Sequence, residues 1–317
     1  MKKSFKFGWL LLAVSIILLV IGGFAHGAKS VVFNGWRPMV YSNKANFKQQ
    51  YPTEKFAQID LTTNNADVTI KRGTSYRVEY HGRQSARPTV KVVNDRLTVR
   101  QKGSSQRSNG FIGFRWFDSQ QGQNNHITVF VPDNVKLTKI RNLNNYGTTK
   151  IQGISTAYLE ALGSEGDLQL ENMNIDNANI EMRDSNQIHL QNTTLLAGLI
   201  TSNDSDVVVE DGTLRNVEIQ QADGDVTVRN VALAGGKMNV SDGDVHMSES
   251  IVTNGYHLYN QDGDNVLTNV KAGGFDVATT DGDNHVFGNS NEDGRLHSGK
   301  TQNVFVIENT DGDNTVR

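Results

Sequence analysis

Apolar and polar residues alternate along most of this chain, in runs that are too short for helices. The segment 226–240 contains three such runs, VTV, VAL and MNV, and turn-forming residues separate them. Alternation with a period of two is typical of strands that bury one side. We therefore predict three short strands in this segment, and similar runs recur along the chain.

The pattern returns at a fixed interval in the second half of the chain. Seven related tetrapeptides, four of which contain Asp-Gly-Asp, end at Asp167, Asn186, Asp206, Asp225, Asp244, Asp264 and Asp283. Their ends are 19 or 20 residues apart, and a repeat of this size is typical of stacked coils. The predicted fold is all-β: a single-stranded parallel β-solenoid with three short strands per coil of 19–20 residues, preceded by one N-terminal transmembrane helix.

The interval also predicts where the coils start and stop. The turn at residues 145–148 ends 19 residues before Asp167, so the register already holds there. Asn303 falls 20 residues after Asp283 and keeps the interval, whereas a last TDGD ends at Asp313, only ten residues later. We expect Asp313 to lie at the edge of an incomplete final coil.

The N-terminus predicts a membrane segment. Lys2, Lys3 and Lys6 precede 22 residues without formal charge, which end before Lys29. As a helix this stretch would be about 33 Å long, roughly one bilayer core. We favour an uncleaved anchor with residues 1–6 in the cytoplasm and the bulk outside, because basic residues flank the cytoplasmic end. The alternative is a signal peptide that is cleaved near residues 25–27, which would make the protein secreted.

Charge divides the chain into two parts. Residues 1–146 contain 22 of the 31 Lys and Arg but 7 of the 34 Asp and Glu, which leaves the remaining 9 and 27 to residues 147–317. We predict four segments: a cytoplasmic tip and anchor (1–28), a connector (29–55), a basic β region with an aromatic insert (56–146) and acidic solenoid repeats (147–317). A basic base beneath an acidic rod suits an anionic envelope, although basic residues on solvated strand faces would explain the same counts.

An aromatic cluster interrupts the basic β region. Its candidate membrane-contacting or partner-contacting residues are Phe111, Phe114, Arg115, Trp116 and Phe117. Because the open end of a solenoid must be covered, this insert is interpreted first as a lid over the first coil. The alternative is a contact with a lipid surface or a partner, since aromatic residues beside Arg suit an interface.

The repeated Asp residues are candidate metal ligands. Stacking should align them in two columns with a spacing of roughly 4.8 Å: Asp223, Asp242, Asp262 and Asp281 in one column, and Asp225, Asp244, Asp264 and Asp283 in the other. One interpretation is structural: the first Asp caps the turn, Gly adopts a left-handed conformation and the second Asp points into water. The other is that Ca²⁺ bridges the carboxylates, but neither an EF-hand loop nor a nine-residue calcium repeat is present.

Composition argues against catalysis. The chain has no Cys, which excludes thiol nucleophiles, disulfides and Cys-ligated metals. General acid and base chemistry needs two carboxyl groups in different environments, whereas repeated turn Asp residues are equivalent. We therefore predict no catalytic residues and no cofactor.

The order of these features resembles a known family. A strand pair IDLTTNNADVTI, the strand DRLTVR, an aromatic insert, the strand ITVFVP and repeated Gly-Asp coils occur in this order over residues 56–317. This order is similar to that of the adhesin-like β-strand-repeat family of bacterial cell-envelope proteins, a domain family of unknown function. The resemblance implies a surface β-solenoid, and some members are linked to envelope stress sensing.

These observations predict a membrane-anchored extracytoplasmic β-solenoid that acts as an adhesin-like or scaffolding surface protein. Envelope stress sensing is the first alternative, and a polysaccharide-active β-helix enzyme is the second. The expected partners are the cell membrane, through the N-terminal helix, and an envelope polymer or surface protein. Nucleic acid is excluded as a partner because no recognition motif accompanies the basic residues.

Overall fold

The computed structural model describes residue 9 and residues 12–17, 31–34, 37–40, 47–101 and 125–317. Residues 12–17 are helical, and the side chains of Leu12, Ile16 and Ile17 are more than half exposed. Among the described residues, no helix has the length and apolar character needed to cross a bilayer. The predicted anchor falls mainly on residues outside this description.

Strands make up nearly all of the described chain, which confirms the all-β prediction. The N-terminal strands are β1 (Val31–Asn34), β2 (Arg37–Val40), β3 (Phe47–Pro52), β4 (Gln58–Thr63), β5 (Ala66–Gly73), β6 (Arg77–Gly82), β7 (Thr89–Val93), β8 (Arg96–Arg100) and β9 (Asn125–Pro132), with a short 3-10 helix at Gln84–Ala86. The next strands are β10 (Lys136–Leu137), β11 (Lys139–Asn144), β12 (Thr149–Gln152), β13 (Ser155–Ser164), β14 (Leu168–Glu171), β15 (Asn174–Arg183), β16 (Gln187–Gln191), β17 (Thr194–Leu195), β18 (Gly198–Asn203), β19 (Asp206–Glu210) and β20 (Thr213–Ala222). The last are β21 (Val226–Arg229), β22 (Ala232–Val240), β23 (Val245–Ser248), β24 (Ile251–Thr253), β25 (Tyr256–Asp262), β26 (Asn265–Thr268), β27 (Gly274–Val286), β28 (Asn289–Gly299), β29 (Val304–Asp311) and β30 (Asn314–Val316).

Parallel pairing stacks these strands into coils with three faces. Face 1 contains β4, β11, β18, β25, β29 and the later halves of β13, β15, β20 and β22. Face 2 contains β5, β12, β14, β16, β19, β21, β23, β26 and β30. Face 3 contains β10, β17, β24 and the first halves of β13, β15, β20 and β22. The strands of faces 3 and 1 are continuous through a bend in four coils, so the prediction of three separate strands holds only where they are split.

The predicted register is confirmed through the middle of the stack. Leu168 pairs with Ile188, Val207 with Val226, and Val226 with Val245, at intervals of 19 or 20 residues. Inward-facing apolar side chains from all three faces form one core, and most of them are fully buried. The turn at residues 145–148 has the register expected for it, because Thr149 pairs with Leu168.

The N-terminal end of the stack is closed by strands of mixed direction. β4 and β5 form the first coil, on which β11 and β12 stack 81 residues later. On the other side, β8 and β9 pair in parallel with β4 and β5. β7 then pairs antiparallel with β8, while β6 pairs antiparallel with both β9 and β3. The boundary predicted after residue 146 falls within a turn of the second coil.

The C-terminal end has an order that the chain order does not give. β29 and β30 pair with β25 and β26 on one side and with β27 on the other, so residues 304–316 lie between two coils that precede them in sequence. β28 pairs antiparallel with β27 and covers the end. The prediction for Asp313 is therefore wrong: it lies inside the stack, and Asp283 lies in the last coil. Asn303 is not an Asp-Gly-Asp position either, since it adopts a φ of 56° next to face 3 and donates to the Val252 carbonyl.

Candidate functional surface

The Asp-Gly-Asp turns form one corner of the solenoid, between faces 1 and 2. Gly263 at this corner has a φ of 129°, and a Cβ added there would lie 2.3 Å from the Gly243 carbonyl oxygen of the neighbouring coil. The turns therefore need Gly both for conformation and for the close approach of the next backbone. In space, the second Asp residues follow the order Asp206, Asp225, Asp244, Asp264, Asp313 and Asp283.

Each second Asp holds the next coil. The backbone N–H of Asp244 donates to Oδ1 of Asp225 at 2.9 Å, and the same bond recurs between Asp264 and Asp244 at 2.9 Å. It continues through Asp313, whose Oδ1 accepts from the Asp283 N–H at 2.8 Å. The first Asp residues are exposed: Asp223, Asp242, Asp262 and Asp281. The predicted roles were therefore reversed, because the second carboxylate, not the first, accepts the backbone bonds.

A polar side chain inside the corner accompanies many of these turns. Asn260 donates Nδ2 to the carbonyl oxygens of Gly243 and Gly263, and Asn309 donates to Gly263. Thr279 and Gln221 donate in the same way to Gly312 and Ser205. These side chains satisfy turn carbonyls that face the interior, since buried polar groups require partners. The signal is an Asn, Gln or Thr two residues before the Asp-Gly, and our sequence reasoning missed it.

The corner's last three coils add a buried amide ladder. Asn265 donates Nδ2 to Oδ1 of Asn314 at 2.8 Å, and Asn314 donates to Oδ1 of Asn284 at 2.9 Å. All three side chains are fully buried. In the preceding coils the same column holds Val226 and Val245. The ladder therefore joins strands from three coils whose order in space differs from that in the chain.

The candidate calcium ligands lie in two columns, as the spacing predicts. Among the residues that the structure describes, no three or more His, Asp and Glu side chains are grouped closely enough to hold a metal ion. One oxygen of each second Asp, from Asp206 to Asp313, is already bonded to a backbone N–H. The arrangement can fasten coils together without an ion.

Face 1 presents the longest outward column. Ten paired positions run along it in this order: Asp60, Arg141, Glu160, Asn179, Leu199, Glu218, Lys237, His257, Val306 and Asp276. A second column, two residues further along each strand, contains Gln220, Asn239 and Tyr259 in neighbouring coils. These side chains project from a regular backbone at a spacing of roughly 4.8 Å, so face 1 offers a flat, extended polar surface.

Ion pairs fix the two ends of face 1. Near the N-terminal end, Asp60 accepts from Arg100 at 2.6 Å and from Arg141 at 3.4 Å. Glu160 continues this set through Lys139 at 2.9 Å. At the C-terminal end, Glu308 contacts His257 at 2.9 Å and Arg295 at 2.7 Å, and Arg295 contacts Asp276 at 2.6 Å. The second set links β25, β29, β27 and β28, which are the strands with the altered order.

These cations lower the pKa values of their carboxyl partners. Partial burial raises the pKa of Asp60, but hydrogen bonds and charge from Arg100 and Arg141 outweigh burial and hold it below its usual value. The Arg295 hydrogen bond lowers the pKa of Glu308, and His257 adds to this effect. On face 2, the Arg229 hydrogen bond lowers the pKa of Glu210. All three groups therefore favour the carboxylate form.

The aromatic candidates lie outside the described residues. Phe111, Phe114, Arg115, Trp116 and Phe117 belong to residues 102–124, so both interpretations of the insert stay predictions. The structure shows only that β8 and β9, on either side of the insert, cover the first coil.

Solved structures with related architecture come from bacteria. A candidate adhesin from Bacteroides fragilis NCTC 9343 is 13% identical over 86% of this chain and 98% of that chain, with a TM-score of 0.36. A candidate adhesin from Parabacteroides distasonis ATCC 8503 is 11% identical over 85% and 96%, with a TM-score of 0.38. A candidate lipid-binding protein from the same strain is 8% identical over 86% and 97%, with a TM-score of 0.34.

Sequence families give a direct assignment. No curated protein matches the chain. The model of the Toastrack DUF4097 family matches residues 56–317, which include every coil of the solenoid. The chain belongs to the Toastrack DUF4097 family.

Proposed function

We propose that this protein is a membrane-anchored, extracytoplasmic rod that binds an envelope polymer or a surface protein along face 1. The observation that carries the proposal is the unbroken outward column of ten paired positions on that face. A flat array of polar side chains on a rigid backbone suits an extended partner, because little conformational entropy is lost on binding.

The electrostatics favour binding over catalysis. A general acid requires a carboxyl group with a raised pKa. The resolved carboxyl shifts in the described residues, at Asp60, Glu210, Glu218 and Glu308, are all downward. Charged groups locked in ion pairs serve as recognition elements rather than as proton donors.

Binding is tested by co-sedimentation of the full chain with cell-wall material from the native host. The face 1 variant combines Gln220→Ala, Asn239→Ala and Tyr259→Ala, and the matched face 2 variant combines Thr227→Ala, His246→Ala and Val266→Ala. We expect the face 1 variant to lose at least about fivefold in bound fraction, since three contact side chains of modest energy are removed. Equal binding by the two variants would contradict a role for face 1.

Membrane topology is tested with thiol labelling, because the chain has no Cys of its own. A Ser290→Cys variant should react with a membrane-impermeant maleimide on intact cells, whereas Ser4→Cys should react only after lysis. The mass of the mature chain reports whether residues 1–28 are retained. Labelling of Ser4→Cys on intact cells, or of neither variant before lysis, would overturn the proposed orientation.

A cell-level experiment separates adhesion from stress sensing. Deletion should reduce attachment of the host to its surface if the rod is an adhesin. Unchanged attachment together with altered sensitivity to envelope-active antibiotics would replace adhesion by stress sensing.

A further inference from the structure

The hydrophobic core opens at one corner of the C-terminal end. Face 3 ends with the pairing of Ile251 and Lys271, and the described coils beyond it, formed by β29, β30 and β27, contribute only faces 1 and 2. A cavity of about 310 Å³ lies at this corner. It is lined by Val270, Ala272, Phe275, Phe287, Ser298 and Lys271, together with the backbone of Gly273, Gly274 and Gly299.

Phe287 departs from the rule that its column follows. In every preceding coil from β14 to β26, the residue after the face 2 strand has a positive φ and is Asn, Asp or Glu: Asn172, Asn192, Asp211, Asn230, Glu249 and Asn269. Phe287 occupies the equivalent place, with a φ of 47° and the same backbone bond to the neighbouring coil. A left-handed conformation is unfavourable for a bulky residue, and such strain is concentrated at functional sites.

The Phe287 ring forms one wall of the cavity. It meets Phe275 edge to face at a centroid distance of 5.4 Å, yet the residue stays 49% exposed. Phe275 is buried and contacts Phe305 behind it, with 6.1 Å between centroids. The cavity therefore has an aromatic wall that leads from solvent into the core.

A cation lies at the rim. Lys271 is exposed, and within the described part of the chain its ammonium group has no carboxylate partner. The volume is at the lower end of the range of about 300–1,000 Å³ for small-molecule sites. An apolar wall with one cation at its edge suits a ligand with an apolar tail and an anionic head.

We infer that this cavity binds a single-chain anionic amphiphile, with its acyl end against Phe275 and Phe287 and its carboxylate at Lys271. The inference does not depend on face 1. It also gives Phe287 a reason to occupy an unfavourable conformation, because Asn at this place would remove the aromatic wall.

The test uses the full chain in zwitterionic phosphatidylcholine nanodiscs and decanoic acid with a diazirine at its terminal carbon, below its micelle concentration. After irradiation, peptide mass spectrometry should find saturable labelling within residues 270–299 that unlabelled decanoate competes away. Lys271→Glu should lower labelling about tenfold, since it replaces attraction by repulsion. Lys271→Arg should keep it within about twofold, because it preserves the charge.

Phe287→Asn provides the sharper variant. It should lower labelling while the thermal midpoint stays the same or rises, because Asn tolerates the left-handed conformation. Labelling equal to wild type in Lys271→Glu, or labels spread over other parts of the solenoid, would overturn the inference. Labelling at residues 270–299 only by a diazirine phosphatidylglycerol in the bilayer would also overturn it, in favour of contact with a lipid surface.

Discussion

The middle and C-terminal coils use the same corner but differ in what they bury beside it. Behind the turns of the middle coils lie Val207, Val226 and Val245, which stack in the order of the chain. Behind those of the C-terminal coils lie Asn265, Asn314 and Asn284, which stack out of chain order. Both sets are fully buried, so burial alone does not distinguish the two regions.

The difference shows what buried amides add to a hydrophobic core. A column of Val residues accepts any apolar neighbour, because dispersion and the hydrophobic effect are not directional. A column of Asn residues requires donors to meet acceptors, and a wrong neighbour leaves a buried polar group without a partner. The ladder from Asn265 to Asn284 therefore specifies that residues 304–316 lie between the coils of β26 and β27.

The largest expected effect comes from removing the central amide. Asn314→Leu should lower the free energy of unfolding by about 3 kcal/mol, since it leaves the Asn265 Nδ2 and the Asn284 Oδ1 buried without that partner. Urea denaturation measures the loss, and Val226→Ala, which only removes buried methyl groups, should cost about 2 kcal/mol. If Asn314→Leu costs no more than Val226→Ala, the amide ladder has no special role.

Placing Asn in the valine column sharpens the comparison. Val226→Asn puts an amide between Val207 and Val245, where it has no amide neighbour. Val245→Asn puts it next to Asn265, which offers a partner. Val245→Asn should therefore be less destabilising by about 1–2 kcal/mol, the value of a buried hydrogen bond. Equal unfolding free energies for the two variants would show that the ladder does not extend.

The sequence predicted the stack but not its order at the C-terminal end. Spacing identified the coils because the corner needs Gly and Asp every 19 or 20 residues, and those residues carry local turn and coil contacts. The order failed because residues 280–284 and 310–314 have the same sequence, TDGDN. Local pattern cannot decide which of two identical segments lies inside, and the answer depends on pairings such as Tyr256 with Phe305, 49 residues apart.

The surface was predicted less well than the core. Alternation showed which residues face outward, but the ion pairs join side chains that are distant in sequence, such as Asp60 and Arg141 or His257 and Glu308. Their partners depend on which coils are neighbours. The inward amides of Asn260 and Asn309 were also missed, because a polar residue in a strand was interpreted as outward-facing.

Replacing the whole ladder separates order from stability. The triple variant Asn265→Val, Asn284→Val and Asn314→Val should change the unfolding free energy by only about 1 kcal/mol, because partners are removed together. A Cys pair reports the order: His257→Cys with Val306→Cys should crosslink in the native order, and His257→Cys with Asp276→Cys if β27 takes the inner position. We expect the second crosslink only with the triple variant. Its absence there would mean that the ladder is not needed to place residues 304–316.

The smallest expected effect concerns the ion pairs of the two regions. Glu210 in the middle and Glu308 at the C-terminal end have lowered pKa values, mainly through Arg229 and Arg295. A carboxyl group with a folded-state pKa below its unfolded value of about 4.3 stabilises the fold above that pH, and this contribution is lost as pH falls through the folded pKa. Glu210→Gln and Glu308→Gln should therefore each cost about 0.5 kcal/mol at pH 7, since both groups are partly screened by solvent, and almost nothing near pH 3.

Urea titrations at both pH values measure these two differences. Glu308 contacts two strands next to its own, through His257 on β25 and Arg295 on β28. Glu308→Gln should therefore also increase hydrogen exchange in β29 at pH 7, whereas Glu210→Gln should leave β29 unchanged. If both variants lose stability equally at pH 7 and pH 3, the ion pairs are not the source of the loss, and only the amide ladder would distinguish the C-terminal coils.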